Sequence, residues 1–142
     1  MPVSKPDLVA DATVVSVPGK AQPYYLLFQD ERTGPLEKRI SVANGPSLEG
    51  PWQDTGSPVS DTGSEGSAVI KVAGGYLAYY DHSANPQHYA AAFTPDMQNW
   101  SDATSKIAFP AGLHHGSILH LETSEYNLLR FYHGTTDSAM SK

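Results

Sequence analysis

Cysteine is absent from all 142 residues, so neither a disulfide frame nor a thiolate zinc site can hold this chain together. Cations are sparse and scattered. Nine Lys and Arg against fifteen Asp and Glu leave a net charge of −6, with no basic run or stripe. Nucleic-acid binding relies on clustered cations that neutralise phosphates, so no nucleic-acid partner is expected. No apolar run approaches the roughly 20 residues that span a bilayer, so no membrane partner is expected either. Residues 1–9 carry Pro2, Pro6 and Asp7 where a signal peptide would have its apolar core, which makes the expected location cytoplasmic.

What is abundant points to strands and turns. Twelve Gly and eleven Pro supply turns, and eight Tyr suit short β-strands. Residues 12–17 are apolar and β-branched, and Pro18-Gly19-Lys20 turns the chain. Residues 24–29 form an aromatic run, residues 39–43 alternate, and Trp52 follows a Gly-Pro turn.

The series then begins again. Residues 68–72 are apolar, Gly74-Gly75 turns, residues 76–80 are aromatic, and residues 88–93 lead to Trp100. Phe28 and Tyr79 stand 51 residues apart, as do Asp30 and Asp81. Pro46 recurs as Pro95 after 49, and Trp52-Gln-Asp54 recurs as Trp100-Ser-Asp102 after 48. A third start falls at residues 117–121, with an aromatic strand expected at 128–132 and a polar tail from His133.

A period of about 50 residues with four short strands per unit is the pattern of propeller blades. A β-sandwich with evenly spaced strands is the plainer alternative. The matching Pro-x-[Leu/Met]…Trp-x-Asp endings favour the propeller. The expected fold is all-β: a partial β-propeller of about two and a half blades in one domain, residues 1–142. Its parts are a blade at 11–58, a blade at 65–107 and a half blade at 115–133. Closed propellers typically have four to eight blades. Open terminal blades would expose apolar faces and strand edges, so a homo-oligomer is expected to complete the ring.

One polar residue precedes the first strand of each unit: Asp11, Glu65 and His115. In a propeller these strand starts meet at one mouth of the central channel. Two carboxylates and an imidazole there would suit acid–base chemistry. Taken singly, Asp11 reads as a solvated turn residue and Glu65 as an exposed residue of a Gly/Ser-rich loop. His115 and its neighbour His114 read as ordinary strand-start residues. Their shared register raises them above the other polar groups. His82, His88, His120 and His133 lack ligand-like spacing and read as structural or surface residues.

From about Val9 to Leu121 the chain resembles glycoside hydrolase family 43, the arabinanase and xylosidase type of five-bladed propeller, in its third to fifth blades. The likeness lies in Asp11-Ala-Thr-Val, Tyr25-Leu-Leu-Phe-Gln-Asp-Glu31 and Leu48-Glu-Gly-Pro-Trp52. It continues in Glu65-Gly-Ser-Ala-Val-Ile-Lys71, Tyr76-Leu-Ala-Tyr-Tyr-Asp81 and His115-Gly-Ser-Ile-Leu119. The resemblance implies a glycosidase cleaving oligosaccharides or aryl glycosides, with a carbohydrate substrate. Glu65 matches the general acid and Asp11 the aspartate that orients substrate and tunes that acid. His115, with His114 beside it, matches the substrate-binding floor of the channel. No cofactor is required, although the family allows a calcium near His115.

Two departures stand out. The family's general base opens a first blade that has no counterpart here, and Ser67 replaces an expected proline. A neighbouring copy could supply a carboxylate, its own Asp11 for example. A two-fold along the channel gives an even number of blades, so it cannot build a five-bladed ring. The competing reading is a non-catalytic carbohydrate-binding or vestigial propeller fragment.

Overall fold

The computed structural model describes residues 8–133, except 33, 35–36 and 84–85. The expectations for the leader region before Leu8 and for the polar tail beyond His133 lie outside the described residues.

Eight strands form two four-stranded antiparallel sheets, each a simple meander. The first holds β1 (Val9–Ser16), β2 (Tyr24–Asp30), β3 (Arg39–Gly45) and β4 (Gln53–Pro58) in that order. The second holds β5 (Ser64–Val72), β6 (Gly75–His82), β7 (His88–Thr94) and the two-residue β8 (Ser101–Asp102). The turn signals fall where the chain reverses, at Gly19 (φ 88°) between β1 and β2 and at Gly74 (φ 81°) between β5 and β6. Glycine meets no steric penalty there.

The sheets stack face to face. Tyr25 and Leu27 of β2, with Ile40 and Val42 of β3, meet Ala78 and Tyr80 of β6 and Ala90 and Ala92 of β7. Bulky side chains on the first sheet face mostly alanines on the second. Met97 and Val59 close the ends of this core, and Trp100 packs on its rim. Backbone bonds tie the sheets at their junction, where Gly63 and Ser64 both donate to the Lys38 carbonyl.

Each first strand carries a β-bulge. In β1 the pair Asp11-Ala12 lies opposite Phe28, and in β5 the pair Gly66-Ser67 lies opposite Tyr80. Both bulges open with a positive φ, 47° at Asp11 and 61° at Gly66. The bulges therefore make Asp11 the counterpart of Gly66, not of Glu65, and make Phe28 equivalent to Tyr80 rather than Tyr79. A one-residue slip exchanges the two faces of a strand. With it, the Leu27 face of the first sheet meets the opposite face of the second. That head-to-tail stacking is compatible with successive propeller blades.

The third unit differs from expectation. Residues 117–121 form no strand, and Thr123–His133 is an α-helix, α1, where a strand was expected at 128–132. Two strands without further partners are marginal in water. The sequence offers a helix instead: Glu125 Oε2 accepts the Glu122 backbone N–H at 2.8 Å, as in a capping box, and Leu128, Leu129 and Arg130 are good helix formers. α1 leaves Leu128 and Phe131 largely exposed, Phe131 at 81%. Among the described residues, no helix is long and apolar enough to cross a membrane.

One polar network bears on acid stability. Asp30 at the end of β2 accepts hydrogen bonds from Arg32 Nε (2.7 Å) and Nη2 (2.6 Å), and Arg32 also bridges to Asp54. These bonds hold the Asp30 carboxyl below its ordinary range, against the opposing effect of burial. A carboxyl lowered on folding stabilises the fold above its unfolded pKa of about 4, and that contribution disappears as pH falls through the lower folded value. Arg32→Met is expected to lose roughly 1–3 kcal/mol in urea unfolding at neutral pH. The gap from wild type should close below about pH 4; a gap that stays constant down to pH 2 would mean the pair adds nothing.

Candidate functional site

A cleft of about 370 Å³ opens along the first strands, lined by residues 11–13, 66–69 and 115–118. It draws on β1, β5 and the segment that follows the second sheet, so the three unit starts lie side by side even though the third forms no strand. Asp11 and His115 both line it. Glycine is needed at position 66 for two reasons: its φ of 61°, and a neighbouring ring. A Cβ there would lie 2.6 Å from His115 Nδ1.

Glu65 stands one residue ahead of the bulge and is not among the lining residues. Bulges re-aim side chains, and its carboxylate turns to the first sheet, where Oε2 accepts a hydrogen bond from Lys38 Nζ at 2.6 Å. Both side chains are about three-quarters buried. The Lys38 contact points the Glu65 carboxyl at the first sheet and away from the cleft lining.

The residue missed in sequence is Asp81. It is the next-to-last residue of β6 and is 1% exposed. Its Oδ2 accepts the His115 backbone N–H at 2.8 Å and lies 3.2 Å from His115 Nε2. His114 Nδ1 is 3.6 Å from Oδ1, too far for a hydrogen bond, and 3.3 Å from Gln87 Nε2. Among the described residues Oδ1 therefore has no hydrogen-bond partner, and neither does Ser67 Oγ in the cleft wall. Tyr89 pairs with Asp81 across β6 and β7. Burial, and then the Asp81 charge, push its hydroxyl up. In the sequence, the recurrence of Asp30 as Asp81 after 51 residues is the signal that marks this position.

The remaining histidines with described side chains sit apart from this cleft. His82 Nε2 pairs with Asp61 at 2.8 Å and stacks on His88, and His120 is exposed.

A calcium ion near His115 can be tested against the residues present. Calcium takes six to eight oxygen ligands. Here a single buried carboxylate, Asp81, already holds a backbone N–H, and the groups beside it are imidazoles. Among the described residues, no three His, Asp or Glu side chains come together as metal ligands. These residues do not fit a calcium site.

Fold and cleft together define a mainly β protein of two four-stranded antiparallel sheets and one short helix, with an open polar cleft along β1 and β5. No family model, no curated protein and no solved structure matches the chain. The likeness to glycoside hydrolase family 43 rests on the residues quoted above.

Proposed function

We propose that the chain is a glycoside hydrolase acting on oligosaccharides or aryl glycosides, built on propeller blades and completed by a second copy of itself. The observation that carries this reading is the convergence of residues 11–13, 66–69 and 115–118 on one cleft beside Glu65. Three segments some 50 residues apart meet there with a carboxylate, hydroxyls and an imidazole, the group types that recognise and cleave sugars.

Replacing the expected half blade by α1 changes the ring arithmetic. Each chain contributes two sheets, and a two-fold along the channel turns two sheets into four, within the range of closed propellers. In such a ring Glu65 of one copy donates the proton and Asp11 of the other activates water. An inverting glycosidase needs those carboxyl groups roughly 6.5–9.5 Å apart. A non-catalytic, sugar-binding cleft is the second reading, favoured by the bond that ties Glu65 to Lys38.

A panel of nitrophenyl glycosides tests the proposal. The hydrolase reading expects release of nitrophenol from at least one substrate. No release, with retention of the chain on a glycan array, would leave the binding reading in its place.

A further inference from the structure

The segment that runs from the 3₁₀ turn at Thr104–Lys106 to α1 touches the second sheet at two places, and two groups hold it there. Phe109 stands edge-on to Tyr79 and Tyr89, at 5.7 and 5.2 Å between ring centres. Further along, Asp81 receives the His115 N–H at 2.8 Å from beneath. His115 itself has a strained φ of 22°, a conformation that a non-glycine residue keeps only when its surroundings impose it. Its ring is pressed against Gly66, where even a methyl group would collide at 2.6 Å.

From this geometry we infer that Asp81 is a positioning residue for the cleft, setting where His115 stands without touching the substrate itself. The inference rests on the hydrolase reading for its kinetic consequence. Burial at 1% exposure denies Asp81 contact with a ligand, and the same burial makes its hydrogen bond strong and its loss costly. The neighbouring strain gives the bond something to do. Among the described hydrogen bonds, the one to Asp81 is the bond made by the His115 backbone amide, and the Tyr89 hydroxyl meets the backbone of Gly116 beside it.

Asp81→Asn is the conservative test, because the amide oxygen keeps a neutral acceptor of the same shape. Asp30→Asn is the control: it removes a buried carboxylate from the first sheet that holds Arg32 and not the cleft. The His115 backbone amide, read by ¹H–¹⁵N NMR on the full chain, is expected to move upfield in Asp81→Asn and to stay in place in Asp30→Asn. On a nitrophenyl glycoside that wild type hydrolyses, KM should rise about tenfold or more in Asp81→Asn with kcat within about threefold, as expected when a group is misplaced rather than lost. Gly66→Ala, which displaces the ring from the other side, should give the same KM effect, and the double variant should add little to it.

An unmoved His115 amide in Asp81→Asn overturns the inference. So does a moved amide with unchanged KM, or a KM effect of equal size in Asp30→Asn. Should wild type hydrolyse no glycoside, the hydrolase reading falls by itself and the amide alone decides: a shift upholds the Asp81 hold on His115, and no shift overturns it. Should Asp81→Asn fail to fold, Gly66→Ala decides through KM and the His115 ring resonances, and no change in either overturns the inference.

Discussion

Glu65→Gln is expected to lower glycoside turnover by at least about 10²-fold while leaving the fold intact. Glutamine matches glutamate in shape, and its amide oxygen can still accept the Lys38 hydrogen bond that joins the sheets. It cannot supply a proton to a leaving oxygen. The loss should therefore fall on kcat and leave KM nearly unchanged, because only the transition state needs that proton. Urea unfolding of the variant within about 0.5 kcal/mol of wild type would exclude a folding defect. Unchanged turnover in Glu65→Gln would move the acid to another residue.

Leu27→Ala is expected to cost about 2–5 kcal/mol of stability. Leu27 is fully buried in the seam between the sheets, opposite Val42 on its own sheet and packed into the same core as Ala78 and Ala92. The facing alanines cannot grow to fill the cavity, and strands tied by ladders on both sides cannot collapse into it. A domain of this size has only about 5–15 kcal/mol in all, so the variant should unfold at far lower urea. The experiment also tests the face assignment, which depends on the bulges. A cost below about 1 kcal/mol would mean that Leu27 does not lie in the seam and that the sheets stack on another face.

The meander was legible because its signals are local. Alternation in β3, aromatic runs in β2 and β6, and Gly or Pro at the turns each follow from a few neighbouring residues. The stacking face was not legible. Counting from Asp30 to Asp81 gives 51, whereas the bulge partners Phe28 and Tyr80 give 52, and that single residue decides which face is buried. A bulge has no strong sequence mark when the residue at positive φ is Asp11 rather than glycine. The third unit misled for another reason. Leu128–Tyr132 has the composition of β2, but strand formation depends on partners, and α1 satisfies its own backbone. The candidate site was legible in part. Asp11 and His115 do share a cleft, whereas the turn of Glu65 toward Lys38 and the burial of Asp81 under His115 are tertiary contacts between residues 27 and 34 apart.

Subunit mixing tests whether a sugar-cleaving site is shared between two copies of the chain. Glu65→Gln and Asp11→Asn are each expected to be nearly inactive on the glycoside that wild type cleaves. Unfolded together and refolded as a mixture, they form mixed pairs in which one of the two clefts holds both an intact Glu65 and an intact Asp11. A shared site predicts recovery of about a quarter of wild-type turnover at equal amounts, the statistical share for a two-fold dimer. No recovery, with both chains folded and associated, would contradict a site built across copies.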